Sequence, residues 1–366
     1  MTGSEDFAAW FRLLETPGVG RDAARRLLAA CGSPGAVFAS SEATLRELAG
    51  ATLASALRRE PPAFAERLEA ARRWLDGGPD RHLLTPGDGT YPPLLLQTVD
   101  PPLLLYVQGQ LDVLSARGVA VVGSRQPSAQ GLDNARAFAQ ALAERGFVIV
   151  SGLAQGIDAA AHEGALVAGA PTVAVMGTGP DSIYPARHRA LAQRIAATGT
   201  LLSEYAPGSP ALPEHFPQRN RIIAGLTQGT LVVEAALRSG SLITARLASE
   251  AGREVFAIPG SIRSSQAQGC HALIKQGAKL VESVDDILEE LQTGTPRQAA
   301  LPLQGPADGP DDPLLDALGH DPVTLDALLA RTGWPVSELS AKLLELELED
   351  RVARLPGGLY QRRHTS

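Results

Sequence analysis

Residues 119–125 read Val-Ala-Val-Val-Gly-Ser-Arg, an apolar run that ends abruptly at a glycine. Four consecutive apolar residues, three of them β-branched, are typical of a strand that is covered on both faces. Gly123 lets the backbone approach a ligand closely, and a helix that starts after Ser128 would offer free amides to an anion. Arg125 adds a guanidinium that can hold a phosphate through two parallel hydrogen bonds. This stretch predicts a strand, a ligand-facing turn and a helix.

The same pattern recurs through the middle of the chain. Further apolar runs, most of them followed at once by Gly, Ser or Pro, occur at residues 148–150, 173–176, 201–202, 231–233 and 255–258. Helical patterns separate them, as at residues 132–145 and 157–168. Strands of this kind that alternate with helices indicate a parallel sheet, and ligands bind beyond the carboxyl ends of its strands. We therefore predict an α/β domain with a doubly wound, mostly parallel sheet over residues 81–291.

Two more loops at predicted strand ends are rich in glycine and serine. Residues 151–158 read Ser-Gly-Leu-Ala-Gln-Gly-Ile-Asp, and residues 239–245 read Ser-Gly-Ser-Leu-Ile-Thr-Ala. Such loops supply backbone amides and hydroxyl groups to an anion, and the strand ends of a parallel sheet meet at one edge. They predict one polyanion or nucleotide site there. The anion-facing residues predicted in these two loops are Gly152, Gly156, Ser239, Gly240, Ser241 and Thr244.

Residues 216–225 (FPQRNRIIAG) carry a third signal. An aromatic ring beside two guanidinium groups can stack a base and hold a phosphate backbone, which favours Phe216, Arg219 and Arg221 as nucleic-acid contacts. The alternative is an ordinary helix start, in which Phe216 is a core residue and Arg219 pairs with Glu234. The pattern favours the first interpretation.

Composition and missing motifs exclude several classes of protein. The 33 cationic and 40 acidic residues give a net charge of −7, which argues against a protein that coats nucleic acid by overall basicity. Two cysteines form no metal-ligand pair, and GxGxxG is absent, so no metal or cofactor is expected. Asp158 and His162 are interpreted as structural, since no nucleophile elbow accompanies them. Without a signal peptide or membrane span, we expect a cytoplasmic chain.

Six motifs, in order, resemble those of the DNA-processing protein A (DprA/Smf) family. They are GSR, SGLAQGID, SEYAPG, FPQRNRIIAGL, VVEAALRSGSLITA and VFAIPG. The resemblance covers roughly residues 83–282 and implies a Rossmann-like fold without enzymatic activity. It further implies a homodimer that binds and protects single-stranded DNA and loads the RecA recombinase onto it during natural transformation and in repair.

The resemblance also assigns residues. Relatives often carry a lysine before the FPxRNR motif, but residues 212–215 here read Leu-Pro-Glu-His, so Arg187 or His215 is expected to replace it. The dimer surface is expected near residues 270–281. The residues implied for the DNA pocket are Arg125, Phe216, Arg219, Asn220 and Arg221, and those for the dimer interface are Leu273, Ile274 and Leu280.

Two flanking regions differ from the middle of the chain in residue pattern and composition. Residues 1–80 are helical with a Pro-Gly-Val-Gly turn, which resembles a SAM or helix-hairpin-helix domain. After a Pro- and Gly-rich linker at 292–313, residues 314–366 predict a winged helix. Residues 308–366 hold eleven acidic and six cationic residues, which favours a protein contact there over weak binding of duplex DNA. Single-strand-binding protein is a further candidate partner.

Two other functions stay open at this stage. The segment Gly-Thr-Leu-Val-Val-Glu-Ala at residues 229–235 resembles a motif of Rossmann-like nucleotide phosphoribohydrolases, in which Glu234 would assist cleavage of an N-glycosidic bond. Against this enzyme, Leu-Thr-Gln at 226–228 replaces the expected Pro-Gly-Gly phosphate loop. A scaffold whose helical ends bind proteins is the third hypothesis.

Overall fold

The computed structural model describes residues 4–292, 312–319 and 322–363. The predicted linker at 292–313 therefore lies almost entirely outside the described residues. The N-terminal region consists of helices throughout its described part, in agreement with the predicted all-α domain. These helices are α1 (Ser4–Glu15), α2 (Arg21–Cys31), α3 (Pro34–Ala39), α4 (Glu42–Ala49), α5 (Ala51–Leu57) and α6 (Phe64–Asp76).

Local sequence explains the ends of these N-terminal helices. Between α1 and α2 the chain turns at Gly18, whose φ of +83° favours glycine. Ser33 caps α3 by accepting a hydrogen bond from the amide of Ala36 at 3.2 Å, and Ser41 caps α4 from the amide of Thr44 at 3.1 Å. The apolar faces of the helices close around a small core that includes Leu13, Ala24, Leu27, Val37 and Leu45.

The central domain is built on one large mixed sheet. Its strands are β1 (Arg81–Leu84), β2 (Leu105–Gly109), β3 (Gly118–Val122), β4 (Val148–Ser151), β5 (Thr172–Met176), β6 (Thr200–Ser203), β7 (Gly229–Val232), β8 (Glu254–Ala257) and β9 (Lys279–Leu280). Its helices are α7 (Pro93–Leu96), α8 (Ala129–Glu144), α9 (Ile157–Val167), α10 (Arg189–Thr198), α11 (His215–Gly225), α12 (Ser241–Glu250), α13 (Gln268–Lys275) and α14 (Val284–Gln292).

Strand order confirms the doubly wound architecture. Within the described residues the sheet runs β1-β2-β6-β5-β4-β3-β7-β8-β9, and the strands from β6 to β9 in this order are parallel. The chain winds outward from β3 to β6 and then returns to β7 on the other side of β3. β2 is antiparallel to both β1 and β6, an extension of the sheet that the pattern of apolar runs did not predict. The order of strands therefore reverses between β3 and β7, where a ligand crevice is expected.

The two faces of the sheet are buried under helices. One core includes Val122, Val150, Val175 and Val232, and the other includes Val119, Val121 and Ile149. Successive residues of a strand point to opposite faces, so a strand that is covered on both sides must be apolar throughout. This is why the short uninterrupted apolar runs were reliable markers of the sheet.

The C-terminal domain is a winged helix, as predicted. It contains α15 (Pro313–Leu318), β10 (Val323–Thr324), α16 (Leu325–Thr332), α17 (Val336–Leu348), β11 (Val352–Leu355) and β12 (Leu359–Arg362). β10, β12 and β11 form its antiparallel sheet, with the wing turning at Gly357 and Gly358. Thr324 caps α16 by accepting a hydrogen bond from the amide of Ala327 at 3.2 Å. No described helix of the chain is long and apolar enough to cross a membrane.

Candidate functional site

A cleft of about 760 Å³ opens at the carboxyl ends of β3 and β7. It lies at the point where the strand order reverses, and its size suits a small ligand or part of a larger one. Most of the predicted loop residues lie in its wall. The predicted residues that line the cleft are Gly123, Ser124, Arg125, Phe216, Arg219, Asn220, Ser239, Gly240, Ser241 and Thr244.

Arg125 is an exposed cation in the wall of this cleft, as is Arg238. Its guanidinium carbon lies 5.5 Å from the centroid of the Phe216 ring, within the range of a cation–π contact. Arg125 forms no ion pair and no hydrogen bond with any described side chain, so its donors are free for an anion. The Phe216 ring lies on the backbone of Gly177, where a Cβ atom would come within 3.0 Å of it.

Arg219 lies behind the cleft and is buried, with 3% of its surface exposed. Its Nη1 donates to the carbonyl oxygens of Gly152 and Val175, and its Nη2 lies 4.0 Å from Asp158 Oδ2. Burial lowers the pKa of Arg219 to about 10, so the side chain is still a cation at neutral pH. The alternative pairing of Arg219 with Glu234 is wrong. Arg219 instead joins the loop after β4 to the end of β5.

Asp158 and His162 have the structural roles expected of them. The Asp158 carboxylate accepts hydrogen bonds from the amides of Gly152 at 3.2 Å and Ala154 at 3.3 Å, which holds the loop after β4 against the first turn of α9. Burial raises the pKa of Asp158, while the nearby Arg219 opposes that shift. His162 is fully buried, with Nδ1 2.8 Å from Thr172 Oγ1, and burial lowers its pKa to about 3. No hydrogen bond joins these two side chains among the described contacts.

Gly156 brings two of the predicted loops together. Its φ is +84°, and a Cβ atom there would lie 2.4 Å from the carbonyl oxygen of Ser124. Only glycine fits this position without displacing the backbone of the loop after β3. Gly152 is restricted by a side chain, because a Cβ atom there would meet the guanidinium of Arg219 at 2.3 Å. Contrary to the prediction, neither glycine is among the residues that line the cleft; both lie behind its wall.

Arg221 does not reach the cleft, contrary to the prediction. Its Nε donates to Asp100 Oδ2 at 2.9 Å, and its Nη2 donates to Glu204 Oε1. Arg21 and Arg25 of α2 also pair with Asp100. Residues two apart on a helix point in nearly opposite directions, so Arg219 and Arg221 cannot share one face of α11. Arg221 ties α11 to the N-terminal helices.

The replacements expected for the missing lysine lie at the rim. Arg187 donates from Nη2 to the side chain of Gln155, which lines the cleft. The His215 side chain already has partners within the chain. Its ring stacks on Tyr205 with centroids 3.8 Å apart, and its Nδ1 lies 3.2 Å from the carbonyl oxygen of Gly177. Of the two, Arg187 is the one with a side chain beside the cleft.

Glu234 is hydrogen-bonded to Ser128 and does not line the cleft. Its carboxylate accepts hydrogen bonds from Ser128 N at 2.9 Å and from Ser128 Oγ at 2.5 Å, which closes the N-terminus of α8. Burial raises the pKa of Glu234, and the Ser128 hydrogen bonds oppose that shift. A Cβ atom on Gly131 would come within 2.5 Å of this carboxylate, so α8 packs closely over it. The arrangement does not favour the nucleotide-hydrolysing alternative, which needs Glu234 to face its substrate.

The N-terminus of α12 has no such carboxylate among the described contacts. Ser239 Oγ and Ser241 Oγ lie 2.7 Å apart at its start, next to Gly240. Asn220 donates from Nδ2 to the carbonyl oxygen of Gly240 at 3.3 Å, which holds this loop against α11. Of the helix starts near the cleft, α8 has Glu234 bonded to its N-cap residue and α9 has Asp158 in its first turn, whereas α12 has no acidic residue in its first turn.

Sequence reasoning missed several residues of the cleft wall. Tyr184 lines the cleft and is half-exposed. It follows the glycine-rich turn after β5, which resembles the turns after β3, β4 and β7. Arg238 and Gln266 also line the cleft. The signal for Tyr184 was the run Gly-Thr-Gly-Pro at 177–180, which directly follows a predicted strand. No cluster of three or more potential metal ligands exists among the described residues.

The residues predicted for a dimer interface lie beside the edge strand β9. Leu280 on β9 is 43% exposed, and β9 pairs only with β8 in the described chain. Leu273 and Ile274 of α13 are partly buried against the core. Next to them a groove of about 600 Å³ is lined by apolar residues such as Leu242 and by Arg238. Dimer formation stays a prediction.

Comparison with known proteins supplies the context for this site. The family model for DNA recombination-mediator protein A matches residues 82–292, and that for the DprA winged helix domain matches residues 296–358. The protein Smf of Escherichia coli (strain K12) is 45% identical over 304 residues, which cover 81% of each chain.

Two solved structures are also similar. The X-ray structure of DNA processing protein A from Streptococcus pneumoniae matches with a TM-score of 0.65 and 40% identity, over 79% of this chain and 98% of that one. A structure of DNA processing protein A from Helicobacter pylori, described for its single-stranded DNA binding mode, matches with a TM-score of 0.51 and 32% identity. It covers 55% of this chain and 92% of that chain.

Proposed function

This chain belongs to the DNA recombination-mediator protein A family, and we propose that it binds single-stranded DNA in the cleft between β3 and β7. The observation that carries the proposal is the free guanidinium of Arg125 above the ring of Phe216. A cation and an aromatic ring at the switch point of a parallel sheet suit one phosphate and one unpaired base. The binding mode described for the Helicobacter pylori relative supports the same ligand class.

The roles of the cleft residues follow from their burial. Arg125 holds a phosphate, and Phe216 stacks a base whose Watson–Crick edge is free. The hydroxyl groups and the helix start at Ser239 and Ser241 hold a second phosphate. Arg219 is a positioning residue, because its Nη1 is already bonded to Gly152 and Val175 and its Nε to Asn220. Duplex DNA binds more weakly, since its bases are stacked inside the helix.

Local charge reconciles DNA binding with the net charge of −7. The acidic excess is concentrated in the C-terminal residues, and the cleft draws on a few arginines at one sheet edge. We expect a modest dependence of affinity on salt, because few phosphates are neutralised. The winged helix fits a protein contact better than a duplex: its helix α17 carries Glu345 and Glu347 in its last turn, and Glu349 is its C-cap.

As a recombination mediator, the chain would protect incoming single strands in the cytoplasm and deliver them to RecA during natural transformation and repair. We further propose that it acts as a homodimer through the edge of the sheet at Leu273, Ile274 and Leu280. The exposure of Leu280 on the edge strand supports this surface. Sedimentation at micromolar concentration should give the mass of a dimer for the unchanged chain and of a monomer for Leu280→Glu.

A titration tests the binding function directly. Labelled oligo-dT and a duplex of equal length are titrated with the full chain at two salt concentrations, followed by a RecA strand-exchange assay. We expect tighter binding of oligo-dT and faster strand exchange in the presence of the chain. Equal affinity for both DNAs, or no binding at low salt, would contradict the proposal. Release of free base from nucleoside monophosphates would instead support the nucleotide phosphoribohydrolase hypothesis.

A further inference from the structure

The aromatic end of the cleft contains a second ring. Tyr184 is 51% exposed, lines the cleft, and lies with its ring centroid 5.3 Å from that of Phe216. Other tyrosines of the chain are placed differently: Tyr91 and Tyr106 are buried in the core, and the hydroxyl of Tyr91 donates to a carbonyl oxygen at 2.8 Å. No hydrogen bond involves the Tyr184 hydroxyl in the described part of the chain. Packing alone does not account for this ring.

The loop that carries Tyr184 is held firmly on both sides. The Asp181 carboxylate accepts hydrogen bonds from the amide of Gly208 at 2.9 and 3.0 Å. Ser203 Oγ donates to the carbonyl oxygen of Thr178 at 2.6 Å, which joins the same loop to the end of β6. The exposed ring is therefore presented by a fixed backbone, and a ligand that stacks on it orders few additional atoms.

The angle between the two rings decides how many bases they can take. The planes of Tyr184 and Phe216 are tilted by 48°, so they cannot both lie flat on one base. A base inserted between them would require about 7 Å, twice the spacing of stacked bases, but the centroids are only 5.3 Å apart. Each ring therefore needs a base of its own.

We propose that Tyr184 is a second base-stacking side chain, so that the cleft holds two neighbouring unpaired bases of one strand. One base stacks on Phe216 and the next on Tyr184, while Arg125 holds the phosphate beside them. This inference rests on the proposed single-stranded DNA function and extends it to the number of bases recognised. It also explains why a duplex fits poorly, since two consecutive bases must be unstacked.

The test compares DNA with and without bases. Oligo-dT and an abasic oligonucleotide of equal length are titrated, at one salt concentration, with the unchanged chain, Tyr184→Leu and Tyr184→Phe. We expect Tyr184→Leu to bind oligo-dT about 5- to 30-fold more weakly and the abasic strand as well as the unchanged chain does. Tyr184→Phe retains the ring and should bind both DNAs within about threefold of the unchanged chain.

Two results would overturn this inference. Tyr184→Leu could bind oligo-dT as tightly as the unchanged chain, or it could lose affinity for both DNAs equally, which would indicate an effect on phosphate contacts or on the fold. Failure of the proposed function is distinguishable, because the unchanged chain would then not bind oligo-dT at all. If Tyr184→Leu does not fold, Tyr184→Trp replaces it: oligo-dT should quench the added tryptophan fluorescence and the abasic strand should not. Equal quenching by both DNAs would refute stacking.

Discussion

Arg219 and Arg221 lie two residues apart on α11, and their guanidinium groups face opposite sides of that helix. Two residues of an α-helix span a rotation of about 200°. Arg219 is bonded to Gly152 and Val175 behind the cleft, whereas Arg221 is paired with Asp100 on the far side. The same helix therefore supports the cleft with one face and attaches to the N-terminal domain with the other.

This relationship predicts different effects for changes at Arg221 and at cleft residues. Arg221→Ala should lower the free energy of unfolding by about 1.5–3 kcal/mol, because it removes two charge-assisted hydrogen bonds, to Glu204 and to Asp100, although Asp100 keeps its pairs with Arg21 and Arg25. The affinity for oligo-dT should change by less than about threefold. Urea unfolding and a DNA titration measure the two effects.

The matched control is Arg46→Ala, which removes an exposed i,i+4 pair with Glu42 and should have little effect on stability. A tenfold loss of affinity with unchanged stability would place Arg221 in the DNA site after all.

A second prediction concerns Arg125 and salt. Arg125→Ala should weaken oligo-dT binding about 10- to 100-fold, since it removes a charge-assisted contact to a phosphate. It should also reduce the slope of log affinity against log salt by about 0.7. Fluorescence anisotropy across a salt series measures both quantities. Arg145→Ala removes a cation at the C-terminal end of α8, at the opposite edge of the sheet, and should leave the slope unchanged. An unchanged slope for Arg125→Ala would refute a phosphate contact.

The third prediction compares two glycines near the cleft. Gly156→Ala should lower the free energy of unfolding by about 1–3 kcal/mol and weaken oligo-dT binding, because its φ is +84° and its Cβ would meet a backbone oxygen at 2.4 Å. Gly240→Ala is the control: it lines the cleft, but no atom lies within 4 Å of its Cβ position. Its effect on stability should stay below about 1 kcal/mol. Equal destabilisation by both substitutions would show that close backbone approach at Gly156 is not decisive.

The fourth prediction is a loss of stability in acid through His162. Burial lowers the pKa of this imidazole in the folded chain to about 3, from an ordinary value of 6.5. The folded state therefore excludes a proton that the unfolded state accepts, and stability falls as the pH drops from about 6.5 towards 3. Between pH 7 and pH 5 this group should remove about 2 kcal/mol of the free energy of unfolding. Urea unfolding at both pH values measures the change, and His162→Gln should show less of it. An identical pH dependence in that variant would assign the effect to other groups.

Most of the architecture could be predicted from local signals. The parallel strands were found because a strand buried on both faces must be continuously apolar, as at residues 119–122 and 173–176. The winged helix followed from helical spacing, the Thr324 cap and a glycine turn. The strands β1 and β2 were missed, because β2 continues a longer apolar segment, Leu103–Val107, without a sharp boundary. Propensity alone cannot show that such a segment adds antiparallel strands to a parallel sheet.

The location of the candidate site was predictable, but the roles of its charged residues were not. Glycine- and serine-rich turns after strands mark the ligand edge of a parallel sheet wherever they occur. In contrast, the partners of Arg219, Arg221 and Glu234 lie far away along the chain. Arg221 and Asp100 are separated by 121 residues, and Glu234 and Ser128 by 106.

The sequence by itself determined the sheet, the edge at which its strands end, and the glycines that this edge requires. These features depend on burial and backbone conformation, and the residues within each segment are enough to indicate both. Only the tertiary structure decided that Arg125 stays free, that Arg219 and Arg221 are bound to opposite sides of α11, and that Tyr184 lies beside Phe216. The reason is physical: a charged or aromatic side chain takes its role from the groups that packing places within a few ångströms of it, and those groups come from distant parts of the chain.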